Sequence, residues 1–196
     1  MKFIGITGGV GAGKSELLKF IKKHYKCKIY LPDKVAFEVR QPGSECHKKL
    51  CELLGENIVK DSATMAQRIF EQPDLLEKVN GIIHPAVKSY LLDRLEEAKA
   101  NPEVELFFVE AALLIECGYN ELVDEMWYIY ATEETRIRRL MLDRGYSREK
   151  AKSIIENQLS EDEFRNNSNF VIDNNTTVFA ACEQIRHRLE DFTWLK

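Results

Sequence analysis

Gly8-Gly9-Val10-Gly11-Ala12-Gly13-Lys14-Ser15 fits the spacing G-x-x-x-x-G-K-[ST] and stands between a short apolar run and a helical pattern. Residues of these types at this spacing bind phosphate. Glycines let a backbone take positive φ and approach an anion closely. The N–H groups exposed in this way, with the N-terminus of the following helix, form an electropositive cradle. On this reading Gly8, Gly11, Ala12, Gly13 and Glu16 lie along the nucleotide-binding stretch. Lys14 bridges the β- and γ-phosphates, and the Ser15 hydroxyl is the candidate ligand of Mg²⁺. The bland alternative, a glycine-rich turn without a ligand, is disfavoured by the complete motif in its strand-to-helix context. A nucleoside triphosphate and Mg²⁺ are the expected ligands.

A bound triphosphate leaves its fate open. A GTPase-type switch needs N-K-x-D to read guanine and a D-x-x-G switch loop, and the chain has neither. A small-molecule kinase needs a carboxylate near the acceptor hydroxyl and arginines that close over the transferring group. Asp33, in IYLPDKVAFEV, is the candidate carboxylate. It follows a strand, which puts it at the carboxyl edge of a parallel sheet, where ligands gather. There it would accept or orient the hydroxyl proton; capping the next helix is the competing role. Glu110 ends the strand of FFVEAALLIE and reaches the same edge, to hold a Mg²⁺-bound water or to contact substrate. Glu116 reads as a capping or outer group. Of Arg136, Arg138, Arg139, Arg144, Arg148 and Arg165, the candidates for stabilising the phosphoryl group are Arg139, Arg144 and Arg165. The others read as solvated surface. His84 is a candidate substrate contact, against the simpler reading that His84-Pro85 starts a helix.

The elements that must position these residues follow a βαβ pattern. Phe3–Thr7 reads as a buried strand, Lys14–Lys26 as a helix and Cys27–Leu31 as a second strand. Apolar residues recur at helical intervals over Gly43–Leu54, Thr64–Phe70, Asp74–Ile82 and Pro85–Lys99. Strands return at Val104–Val109, Glu125–Ala131 and Phe170–Ile172. Helices at Glu133–Arg144, Arg148–Leu159 and Val178–Phe192 lie between and after them. The expected fold is α/β, a three-layer P-loop NTPase fold with a parallel central sheet, interrupted by a helical insertion at about 40–100 and followed by a charged helical excursion at about 135–167.

Composition bounds the partners. With 196 residues, 44% hydrophobic and 31% charged, the chain suits one domain with a sizeable core. A net charge of -4 argues against a broad nucleic-acid footprint, so anionic substrates must be held by clustered arginines. The five cysteines are scattered without CxxC spacing, which fits reduced thiols in the cytoplasm. The apolar run at the start is too short for a signal peptide, and no stretch has transmembrane length.

In order along nearly the whole chain, GITGGVGAGKS, the Asp33 segment ending in QPG, RIF, IIHPAV, EAALLIE, NQL and FVIDNN resemble the dephospho-coenzyme A kinase family. The P-loop alone is shared by many unrelated proteins; HP, LLIE and VIDNN in this order are more particular. The resemblance implies ATP-dependent phosphorylation of the ribose 3′-hydroxyl of dephospho-coenzyme A, with ATP as co-substrate, and it carries the role of proposed base onto Asp33. It also implies a nucleotide-binding core of residues 1–40, 101–134 and 168–196, a helical acceptor-binding insertion at 41–100 and a lid at 135–167. The chain departs from the family pattern at Leu31, Phe37, Phe164 and Glu16, and in the order Asp143-Arg144-Gly145. The alternatives are a kinase for another small hydroxyl or nucleotide acceptor, and a nucleotide-dependent switch without turnover.

Overall fold

The computed structural model describes residues 1–192. Five strands, β1 (Lys2–Thr7), β2 (Cys27–Tyr30), β3 (Leu106–Glu110), β4 (Glu125–Tyr130) and β5 (Phe170–Asp173), form one sheet in the order β2-β3-β1-β4-β5. β1 runs parallel to both β3 and β4, and β4 runs parallel to β5. The helices are α1 (Lys14–His24), α2 (Pro32–Val39), α3 (Glu45–Leu54), α4 (Glu56–Lys60), α5 (Ser62–Phe70), α6 (Pro73–Lys99), α7 (Glu133–Arg144), α8 (Arg148–Glu156), α9 (Glu161–Asn166) and α10 (Val178–Glu190). Two compact units emerge, one of Met1–Ile29 with the chain from Ala98 onward, the other of Tyr30–Glu97. The Asp33 segment, grouped with the core on sequence, thus clusters with the helices that follow it.

In the first unit the central strands are apolar on both faces, as strands covered on two sides must be. Phe3, Ile4 and Ile6 of β1, Leu106 to Val109 of β3 and Met126 to Ile129 of β4 are all buried. Registers Ile4↔Phe108 and Ile6↔Trp127 set large side chains on one face, and Phe108, Trp127 and Phe170 meet there edge to face at 5.8 and 5.5 Å. Burying each such side chain contributes about 1.5–3 kcal/mol. α1 covers the sheet through Leu17, Leu18 and Ile21. α7, α8, α9 and α10 each open on a Thr or Ser whose side chain accepts a backbone N–H of the first turn.

The second unit holds α2 to α5 and most of α6. Sequence reading splits α6 at His84-Pro85, but the helix runs unbroken with Pro85 inside it. Val79, Ile83, Val87, Leu91 and Leu95 are buried at intervals of four, one stripe that continues through the proline. Pro85 faces solvent, and the carbonyl it leaves without a donor belongs to Gly81, also exposed. Continuity of the buried stripe outweighs the local cost. α4 and α9 are further short helices beyond those expected.

At the amino end of β4, Glu125 is buried and accepts from Arg188 Nη2 and Nε, at 3.0 and 3.2 Å, and from the indole N–H of Trp127 at 2.9 Å. The Arg188 guanidinium also stacks on Phe170 and Phe192. Removing one partner of such a pair leaves the other's donors unmet. Glu125→Ala is therefore expected to lower stability by about 2–4 kcal/mol in urea unfolding, with nucleotide affinity nearly retained. A loss below about 0.5 kcal/mol would reduce this network to surface decoration.

Candidate active site

The turn from β1 into α1 is shaped by a backbone requirement. N–H groups that converge on an anion leave their carbonyls pointing outward, and buried carbonyls need donors. Lys14 Nζ donates to Gly8 O at 2.6 Å and approaches Gly9 O at 3.4 Å. Ala12 O accepts from Asn174 Nδ2 at 2.8 Å and from Arg139 Nη1 at 3.1 Å. Arg139 also reaches Gly11 O at 3.4 Å, and its Nη2 donates to Asn174 O at 2.6 Å. Arg136 Nε donates to Val10 O at 2.9 Å, its Nη2 donates to Gln158 Oε1, and Gln158 Oε1 accepts Val10 N–H at 3.0 Å.

These donors explain two of the glycines. Gly13 is the N-cap of α1 at φ 89°, a left-handed conformation that favours glycine, and a Cβ there would fall on the Asn174 amide nitrogen. At Gly9 a Cβ would fall inside the Arg136 guanidinium. The motif is thus glycine-rich on its outer side for packing as well as on its inner side for phosphate.

Lys14 sits at 3.7 Å from Glu110 Oε1, and both side chains are largely shielded from solvent. Register Ile6↔Glu110 puts the carboxylate beside the end of β1. Burial lowers the Lys14 pKa from the ordinary lysine value, Glu110 opposes the shift, and the charges of Arg136 and Arg144 add to it. Several cations around one carboxylate form a site whose charge an incoming polyphosphate would balance. Ser15 is exposed in the first turn of α1, its hydroxyl accessible to a ligand. Glu16 points to the surface, paired with Lys19 at 2.7 Å.

The other expected residues fall as follows. Arg139 lies against the loop, and Arg144, exposed at the end of α7, acts on Lys14 through its charge. Arg165 pairs with Glu161 at 2.7 Å and lies over the Tyr130 ring; no P-loop residue is among its partners within the described residues. In the second unit, Asp33 is exposed in the first turn of α2 and its carboxylate makes no hydrogen bond or ion pair among the described residues. Leu31 is the N-cap of that helix, so Asp33 is not its capping residue. His84 is exposed on α6. Glu116 is exposed beyond β3.

Arg136 corrects the sequence reading, which left it on the solvated surface. It is only 8% exposed. Its position was legible: it lies four residues before buried Leu140 and next to buried Ile137, on the inward stripe of α7. Asn174 and Gln158 went unassigned although both stand in quoted segments, VIDNN and NQL. Nothing local marks them, because their partners lie 162 and 148 residues away.

The family model described as dephospho-CoA kinase matches residues 2–179. A curated dephospho-CoA kinase of Geobacter sulfurreducens is 31% identical, over 100% of this chain and 98% of the relative. A solved protein of Thermus thermophilus superposes with a TM-score of 0.81 at 27% identity, covering 97% of each chain. The dephospho-CoA kinase of Campylobacter jejuni shares the fold with a TM-score of 0.69 at 19% identity, covering 97% of this chain and 96% of its own.

Lys14→Ala removes the ammonium that bonds Gly8 O and faces Glu110. ATP affinity measured by calorimetry is expected to fall by about tenfold or more, the scale of a lost charge-assisted contact. An unchanged affinity would contradict the cradle.

Proposed function

The chain belongs to the dephospho-CoA kinase family, and from that premise we propose how its own residues carry the phosphorylation of dephospho-coenzyme A by ATP. The observation that carries the reading is the loop itself, whose outward carbonyls are each met by Lys14, Arg136, Arg139 or Asn174. That arrangement supports N–H groups aimed inward at a triphosphate before it arrives, and preorganised donors are the main source of catalysis in phosphoryl transfer. Lys14 holds the β- and γ-phosphates. Arg139 and Arg144 neutralise charge that develops on the transferring group.

Asp33 accepts or orients the proton of the ribose 3′-hydroxyl. Its exposure, its freedom from other partners and its place just after β2 support this role. An ordinary carboxylate is a much weaker base than an alkoxide, so proton transfer comes late and positioning dominates.

Mg²⁺ fits the residues present. The Ser15 hydroxyl would hold it, with Glu110 placed to hold one of its waters, and the ion would supply charge neutralisation across the phosphate oxygens. Among the described residues no three His, Cys, Asp or Glu side chains come together as a metal-holding group. The remaining ligands would be phosphate oxygens and water.

The second unit suits the acceptor. A cavity of about 250 Å³ within it is lined by Phe37, Pro42, Val59 and Met65 together with Arg40, His47 and Lys60. Apolar walls with the cations Arg40 and Lys60 beside them match a substrate that joins phosphates to an aliphatic amide arm. His84 and Arg165 are further candidate acceptor contacts, and residues 135–167 are the candidate lid. No helix among the described residues is long and apolar enough to cross a membrane, and none of the five cysteines is in a disulfide among the described residues. Cysteines kept as thiols support a reducing, cytoplasmic setting.

An ADP-release assay over a panel of acceptors tests the substrate. Dephospho-coenzyme A is expected to give acceptor-dependent ADP; release with a nucleoside monophosphate instead would name a different acceptor, and no release with any would favour a switch. Asp33→Asn is expected to lower kcat by about a hundredfold or more with ATP affinity nearly kept. An unchanged kcat would remove Asp33 from the chemistry.

A further inference from the structure

Val10 of the phosphate loop is held on three sides by α7, α8 and the turn that follows α8. Its carbonyl accepts from Arg136 Nε at 2.9 Å, and its N–H donates to Gln158 Oε1 at 3.0 Å. Arg136 Nη2 closes the triangle by donating to the same Gln158 oxygen. The Val10 side chain packs on a buried cluster of Ile137 and Leu140 from α7 and Ala151 and Ile155 from α8. Gln158 lies in the turn just after α8.

This arrangement is not explained by stability. Arg136 is buried, yet among the described residues no carboxylate pairs with it. Its hydrogen-bond partners are two neutral oxygens. Burying a cation against neutral groups costs free energy that a well-packed apolar side chain would not. The planar fork does one thing an apolar side chain cannot, which is to bridge the Val10 carbonyl and the Gln158 amide oxygen at once. With Val10 held by both backbone groups, the peptide planes on either side of it are fixed, and rotation of the loop away from its anion-binding form is opposed.

We propose that Arg136 and Gln158 are positioning residues that clamp Val10 and keep the phosphate loop in its binding conformation when no nucleotide is present. The inference rests on the phosphate-cradle reading given above. If the competent loop is populated only in part once the clamp is lost, apparent affinity falls by that fraction for every ligand of the loop. The chemical step after binding is spared. The signature is therefore a rise in KM for ATP and in Kd for ADP by the same factor, with kcat and the KM for dephospho-coenzyme A nearly constant.

Gln158→Ala tests this, since its side chain is only half-buried and its removal leaves the apolar cluster intact. The expected result is about a tenfold rise in KM for ATP and in Kd for ADP, and kcat within about twofold. Hydrogen exchange at the Val10 amide of the ligand-free protein should quicken by about tenfold or more. Gln158→Glu keeps an oxygen acceptor for both Val10 N–H and Arg136, so it should restore most of the affinity and protection. Wild-type ADP affinity and Val10 exchange in Gln158→Ala would overturn the proposal, as would a fall in kcat at constant KM. ADP binding and Val10 exchange are read without any acceptor. If the wild-type enzyme failed to phosphorylate dephospho-coenzyme A, the acceptor assignment would fall while these two measurements still decided the clamp.

Discussion

A loop that turns its N–H groups toward a bound anion turns carbonyls the other way, and those of Gly8 and Ala12 belong to buried residues that need donors from the protein. This single constraint organises the catalytic end of the molecule. Ala12 O takes two donors from Asn174 and Arg139, Val10 O takes Arg136, and Gly8 O takes Lys14. Each left unmet would cost about 1–3 kcal/mol, and a loop relaxed to meet them locally would lose its concave face. Arg136 and Arg139 come from α7 and Asn174 from just beyond β5, so the cradle is a product of the whole unit and not of its own eight residues.

The sheet makes that possible by giving its two ends different work. At the amino end Glu125, Arg188 and Trp127 close a buried polar network flanked by the rings of Phe170 and Phe192. At the carboxyl end β1, β3 and β5 release the P-loop, Glu110 and Asn174. Between the ends the strands are almost wholly apolar, with Phe108, Trp127 and Phe170 in edge-to-face contact. Packing of this density resists small displacements, and so it carries the alignment of Lys14 with Glu110 across neighbouring strands. Rigid strands and a shaped loop are complementary requirements of one site.

How far the sequence could be read depended on the range of the interaction. The P-loop, the strand before it and the helix after it are set by neighbours, and the motif was legible in full. The strands at Leu106–Glu110 and Glu125–Tyr130 announced themselves as buried apolar runs within two residues of their observed limits. At Pro85 a local rule misled, because the stripe from Val79 to Leu95 that holds α6 together is a tertiary fact. Arg136 was lost to a compositional habit, that arginines on a charged helix face solvent, although its place beside Ile137 and before Leu140 told against it. Gln158 and Asn174 were out of reach. An amide in a loop is ordinary until a partner 148 or 162 residues distant in the chain is known to need it.

The same distances bear on why the loop is braced from so far away. Preorganisation lowers a barrier only if the cost of ordering the donors is met during folding and not during reaction. Bonds within the loop could not meet that cost alone, since its glycines have more backbone freedom to lose than other residues. Donors on α7 and beyond β5 can, because those elements are already fixed by the core through Ile137, Leu140 and Ile172. Placing two of the donors on arginines adds a second effect at the same positions. Their charge lies behind the loop, lowers the pKa of Lys14 in the case of Arg136, and is left for a polyphosphate to balance. The groups that hold the loop in shape therefore also carry positive charge that a polyphosphate would balance, and a neutral donor at 136 or 139 would supply only the first of these.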